Sequence, residues 1–436
     1  MDTTPQEDRA VASPLIASRL KMMSVLLRDI YVFLLLLSVG ERLTASEFLF
    51  DWMRWYVVIG TTILVMKFVS SSFSSFRGLS SVPEKPPTGR SAGPKLSKTT
   101  RCDRTPSDGG MTFEFVVCEM QGWRDSMEDA ALAIPRLQPP LEGVALFSVF
   151  DGHGGPAVSR ICASTFPGEI QRQADSLFEE AGPEKTSEAP TDQQSFLDNT
   201  LPLHTSQSTL DLGTILTRTY AQVDAELLAA GSDSGLRGVT ESPEGTRIER
   251  KNLFDFTGCT AVTALLTPNK IVVANAGDSR CLLCRNGVAI ELSHDHKPES
   301  PRERSRIERA GGKVTAIGPC FRVDWGLNLS RSLGDFAYKR NGNLPASEQK
   351  ISSLPDLVEE DLIPEDEFIV LACDGLFELL TSQQVVDFVR AGISRGMKLD
   401  KIAEALLDEC CTKDPSITLG KGTDNETCVI VALSKK

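Results

Sequence analysis

The sequence predicts an α+β fold behind an amino-terminal hydrophobic extension. Three observations carry this reading. Strand-length apolar runs recur beside turn residues between residues 113 and 433, and segments with helical apolar spacing lie among them. Two longer apolar runs occupy the first 70 residues, set apart from the rest by a polar stretch. With 436 residues and 41% hydrophobic content, the chain can build two ordinary domains or one large domain with appendages.

The expected strands are Phe113–Cys118, Val144–Phe150, Thr260–Leu266, Lys270–Ala274, Cys281–Leu283, Phe368–Cys373 and Thr427–Leu433. Leu212, Ile215, Leu216, Val223 and Leu227 share one face of a helix over 212–228. Ser300-Pro301 opens and Gly311-Gly312 closes a second helix over 302–310. Thr381, with Gln384 three residues on, forms a capping box for a third that stops near Gly392. The polar stretches 182–208 and 231–249 read as surface insertions.

In the extension, Ile30–Gly40 and Trp55–Val69 are each shorter than the roughly 20 residues that cross a bilayer as a helix. We expect residues 1–69 to carry two short membrane segments, at about 22–40 and 55–69, with 70–110 a disordered linker and 111–434 the folded domain. The first run is apolar on every face, which disfavours the alternative of two buried helices in a cytoplasmic protein. Glu41 and Arg42 follow it where a cleaved secretory signal would place small residues. Arg19, Lys21 and Arg28 precede the first run and eight Lys/Arg lie from Lys67 to Arg104, so the positive-inside bias puts both flanks in the cytosol.

The net charge of −13 is uneven: residues 1–110 hold 14 Lys/Arg against 10 Asp/Glu, which leaves −17 for the remainder and argues against a nucleic-acid partner. Eleven cysteines without framework spacing read as reduced thiols facing the cytosol. Nothing in the pattern calls for more than a monomer.

The chemistry is carried by carboxylates at strand boundaries. Asp151 follows ALFSVF, Asp278 follows IVVANAG, Asp374 follows FIVLAC, and Asp424-Asn425 stands just ahead of TCVIVAL. Alone, an Asp beside Gly is most often a turn cap. Repetition of the pattern at four boundaries makes a convergent cluster, and clustered carboxylates call for hard divalent cations such as Mg²⁺ or Mn²⁺. Glu128 in Gly122–Asp129 is a fifth candidate, and Arg124 in the same segment offers a forked donor for phosphate.

Three other signals are weaker. Cys118 and Arg124 have the Cys-x5-Arg spacing of thiolate phosphatases, but Cys118 lies in an apolar run. Cys281 and Cys284 read as core rather than a zinc knuckle, and His294 and His296 as surface or flap residues.

The stretches GWRDSMED (122–129), FSVFDGHGG (147–155), GCTAVTA (258–264), ANAGDSR (274–280), LSRSLGD (329–335), LACDGL (371–376) and GTDNET (422–427) together resemble the metal-dependent, type-2C serine/threonine protein phosphatases, over about residues 113–434. The resemblance implies an αββα sandwich of two antiparallel sheets flanked by helices, acting on phosphoproteins. It implies that Asp151 bridges two Mg²⁺ or Mn²⁺ ions, that the Gly152 carbonyl ligates one, and that Asp374 and Asp424 ligate the other. Glu128 would act through bound water, Asp278 with Asp374 would form a weaker third site, and Asp129 and Asn425 would support the ligands. It further implies in-line attack by a metal-bridging hydroxide, with Arg124 orienting the phosphoryl group and His153 protonating the departing oxygen. The alternative is a catalytically inactive, membrane-tethered binding module on the same fold. Glu378 stands where most members carry Asp, and Glu426 where Met is common.

Overall fold

The computed structural model describes residues 94–104, 112–181, 210–233, 238–241, 247–250 and 252–433. Both amino-terminal apolar runs and the 182–208 insertion lie outside these residues. Among the described residues no helix is long and apolar enough to cross a membrane.

Eleven strands make two fully antiparallel sheets: β1 Lys95–Arg104, β2 Phe113–Gly122, β3 Ala130–Ile134, β4 Ala145–Phe150, β5 Ala261–Leu266, β6 Lys270–Ala276, β7 Arg280–Arg285, β8 Val288–Glu291, β9 Asp356–Asp361, β10 Asp366–Ala372 and β11 Glu426–Leu433. The first sheet runs β1-β2-β11-β10-β7-β8, the second β9-β6-β5-β4-β3. Besides a single turn at Asp374–Phe377, the α-helices among the described residues are α1 Ala157–Ala181, α2 Leu212–Asp233, α3 Pro301–Arg309, α4 Ser382–Ser394 and α5 Leu399–Cys410.

The continuous apolar runs are explained by burial on both faces. Along β4, Ala145, Phe147 and Val149 enter one core with Phe115, Leu371 and Val429, while Leu146 and Phe150 enter another with Phe166, Ile215 and Tyr220. The period of two thus divides each central strand between the inter-sheet core and a helix-facing core. Helices α1 and α2 cover the second sheet; α4 and α5 cover the first through Val385, Val389, Ile402 and Leu406. The four layers are α, β, β, α, as expected. The capping box at Thr381 is formed, with Thr381 and Gln384 each accepting from the other's backbone N–H.

The linker boundary needs correcting. Residues 95–104, inside the stretch expected to be disordered, form the edge strand β1 against β2. The segment is too polar to fold alone. It gains order from its ladder on β2, continuous from Lys98 to Arg104, with Lys98 bonded to Asp408 and Thr100 to Glu404, while its charged side chains suit an edge. The second insertion also has internal structure: α2 runs on to Asp233, and Gly238–Glu241 pairs with Arg247–Arg250 as a hairpin.

Candidate metal centre

Asp151, Asp278 and Asp374 sit just past strand ends, and Asp424 just ahead of β11. Asp151 follows β4, its N–H donating to Thr260 Oγ1 at 3.2 Å and its carbonyl accepting from Thr260 N–H at 2.9 Å. Asp278 follows β6 after Gly277, whose φ of 130° and close approach to the Thr260 side chain leave no place for a Cβ. Asp374 opens a single helical turn, Asp374–Phe377, after β10. Carboxylate oxygens of Asp151, Asp278 and Asp374 lie within 4.8 Å of one another.

Asp424 stands apart from this trio. Its Oδ2 accepts from Arg124 Nη2 at 2.5 Å and its Oδ1 from Asn425 N–H at 2.7 Å. Burial would lower the Arg124 pKa, but the Asp424 carboxylate outweighs it and raises it, with Asp151 and Asp374 adding. The guanidinium therefore faces the whole acidic cluster.

Glu128 is held in the 122–129 loop by Asn425, whose Oδ1 accepts from Glu128 N–H at 2.8 Å and whose Nδ2 donates to the carbonyls of Gln121 and Ser126. Its carboxylate accepts from Ser126 Oγ at 2.7 Å and Gly155 N–H at 3.0 Å, so it is engaged beside the trio rather than within it. Gly152 packs so tightly on the Glu128 carbonyl that no side chain fits there. Asp129 is buried with Oδ2 unpartnered, and burial raises its pKa to about 7, the Asp424 charge adding.

Burial, and then the charges of their acidic neighbours, push the Asp151 and Asp374 carboxyls well above the usual range. Crowding negative charge where solvent is scarce is costly. An oxygen-only donor set crowded in this way fits a hard divalent cation.

The sequence reading missed one cation already present. Lys297 Nζ lies 2.5 Å from Asp278 Oδ2 and 3.9 Å from Asp374 Oδ2. Burial opposes its charge, but Asp278 and Asp374 outweigh burial and raise its pKa. A single lysine in a polar turn gives no sequence signal for this.

His153 Nε2 lies 2.7 Å from Asp335 Oδ2, a partner the sequence reading also missed although it ends the LSRSLGD stretch. Burial would lower the imidazole pKa; Asp335 more than compensates and raises it. His296 is corrected from surface or flap to buried: its Nδ1 accepts from Gly277 N–H and its Nε2 faces Asp356 Oδ2 at 3.2 Å. Cys118 is wholly buried in β2, where burial raises its thiol pKa and removes it as a nucleophile; Cys281 and Cys284 are core residues.

The family model for protein phosphatase 2C matches residues 113–230 and 224–416. The chain belongs to the protein phosphatase 2C family. It is 37% identical over 349 residues to protein phosphatase 2C 1 of Paramecium tetraurelia, covering 79% of this chain and all of that one. It is 35% identical to probable protein phosphatase 2C 11 of Oryza sativa subsp. japonica, covering 77% and 90%. The crystal structure of serine-threonine phosphatase 2C from Toxoplasma gondii shares the fold, with a TM-score of 0.56 at 21% identity over 77% of this chain and 99% of that one.

As a phosphatase 2C, the chain is a serine/threonine protein phosphatase of a metal-dependent family. Its two departures are accommodated locally. Glu378 Oε2 accepts from Gly422 N–H at 2.6 Å and so closes the loop ahead of Asp424. Glu426 is fully buried with neither carboxyl oxygen partnered, and burial raises its pKa to about 9, with Asp408 and Asp424 adding.

Proposed function

We propose that this phosphatase hydrolyses phosphoserine and phosphothreonine esters on proteins, using two divalent cations, Mg²⁺ or Mn²⁺, and a weaker third. The observation that carries the reading is the convergence of Asp151, Asp278 and Asp374 from three strand ends to within 4.8 Å. Asp151, the Gly152 carbonyl, Asp374 and Asp424 would hold the main pair; Asp278 and Asp374 would hold the third. When bound, the cations supply an activated water and offset phosphoryl charge.

The chain's own groups do the rest. Arg124 carries a fork of N–H donors beside Asp424 and can turn it to the phosphoryl oxygens, fixing the ester for in-line displacement. His153, two residues after Asp151, gives its proton to the leaving serine or threonine oxygen, which is a poor leaving group without one. Asn425 keeps the 122–129 loop, and hence Glu128, in register with Asp424. An inactive binding module has no use for carboxylates whose crowding costs stability.

Dephosphorylation of a phosphoserine peptide tests the reading. It is expected to need added Mn²⁺ or Mg²⁺ and to stop in excess chelator; full turnover in chelator would sink it.

For the amino-terminal runs we propose a short membrane hairpin with both flanks and the phosphatase domain in the cytosol. The support is their apolar length and the flanking Lys/Arg excess. Alkaline carbonate should leave the protein in the membrane pellet, and protease should reach the phosphatase domain in sealed microsomes. Release by carbonate, or protection of that domain, contradicts the proposal.

A further inference from the structure

We propose that Asp335 is the positioning residue for His153, fixing the Nε2 end of the ring so that Nδ1 is the end left to serve the ester oxygen. The inference rests on the assignment of His153 as proton donor above. His153 Nε2 and Asp335 Oδ2 are 2.7 Å apart, although 182 residues separate the two in sequence. The Asp335 side chain is wholly buried, whereas that of His153 keeps 24% of its surface exposed. One end of the ring is thus anchored in protein while the ring as a whole still reaches the open side.

The fold is shaped around this contact. Gly152–His153 pairs with Gly258–Cys259, which pairs in turn with Leu333–Gly334, so a three-stranded ribbon carries both partners. A Cβ on Gly258 would overlap the Asp335 carboxyl, so glycine is what leaves that carboxyl its place. Ser332 Oγ donates to the same Oδ2 at 2.5 Å and fixes the carboxyl orientation. Asp335 itself has a left-handed φ of 55°.

Local capping does not account for Asp335. It precedes the 3₁₀ turn Phe336–Tyr338, yet its side chain makes no capping hydrogen bond there. A buried carboxylate accepting from one ring nitrogen sets the tautomer and leaves the other nitrogen to carry the mobile proton.

The test compares wild type, Asp335→Asn, His153→Gln and the double variant at saturating Mn²⁺, on a phosphoserine peptide and on p-nitrophenyl phosphate. Asn tolerates a left-handed φ, so Asp335→Asn preserves the backbone. Losing the orienter is expected to lower kcat on the peptide by about 10- to 100-fold, much less on the aryl ester, whose leaving group needs no acid. It should add nothing in the His153→Gln background.

If Asp335→Asn lowers both substrates equally, or multiplies the His153→Gln loss, while His153→Gln alone keeps its preference, then Asp335 is only structural and the inference is overturned with the acid assignment intact. If His153→Gln alone lowers both substrates equally, the acid assignment itself fails, and the positioning role with it. Should Asp335→Asn fail to fold, Ser332→Ala decides. A several-fold loss confined to the peptide supports the inference, and an unchanged peptide rate or an equal loss on both substrates overturns it.

Discussion

Replacing Glu303 with Gln should destabilise the domain by about 3 kcal/mol. Glu303 lies on α3 and is 3% exposed, with Arg306 Nη1 at 2.5 Å, Arg331 Nη2 at 2.7 Å and Ser330 Oγ at 2.7 Å. Burial alone would raise its pKa; the Arg331 hydrogen bonds and the Arg306 charge outweigh burial and hold it at about 2 against an ordinary 4.5. At ~1.4 kcal/mol per pKa unit that difference is about 3 kcal/mol. Removing one partner of a buried ion pair costs about 3–5 kcal/mol, in agreement. Because the folded pKa is depressed, this stability is fully present above about pH 4.5 and is lost as pH falls through about 2. Urea unfolding at pH 7 followed by tryptophan fluorescence and circular dichroism measures it. A loss below about 1 kcal/mol would refute the reasoning, because the two guanidiniums would then have found water or other partners.

Lys297→Met removes the ammonium that neutralises Asp278 and Asp374, so Mn²⁺ affinity at that corner should rise about tenfold by calorimetry; weaker or unchanged binding would show that Lys297 does not compete with the ion. A chain beginning at residue 105 lacks β1 and exposes the edge of β2, so it should unfold earlier and sediment partly as aggregate, whereas a chain beginning at residue 91 should not. Cys118→Ala should leave turnover within about twofold, since a buried strand thiol does not attack phosphorus; a loss of several orders would revive the thiolate mechanism.

The legible parts of this fold were those written in local pattern. β4, β5, β6 and β10 are buried on both faces, so their runs of Val, Ile, Phe and Ala stand out, and the capping box at Thr381 is a three-residue code. Helix α1 was not foreseen because Pro167-Gly168 reads as a breaker; the helix runs through Pro167, and Thr165 Oγ1 bonds back to the Ile161 carbonyl just before it. β9, Asp356–Asp361, is an acidic strand with only alternate residues half-buried, and β1 is mostly polar, with Leu96 its one large apolar side chain. Both draw their order from a neighbour rather than from their own composition.

The same division holds at the site. Asp151, Asp278 and Asp374 were legible because each is attached to a strong strand. Lys297 and Asp335 were not, because their importance lies in partners reached only through the fold: Asp278 across a turn, and His153 across the ribbon through Gly258. Arg124 was expected to face a phosphate, and in the structure it faces Asp424, a contact the same guanidinium can exchange for a phosphoryl group.

The central claim is that strand-end carboxylates hold catalytic divalent ions, and calorimetric titration of chelator-stripped protein with Mn²⁺ tests it most directly. Wild type should bind at least two ions. Asp151→Ala should lose the tight pair while its circular dichroism and urea midpoint stay those of a folded protein, with turnover falling by orders of magnitude. Undiminished Mn²⁺ binding by folded Asp151→Ala, or no binding by wild type, would contradict the account.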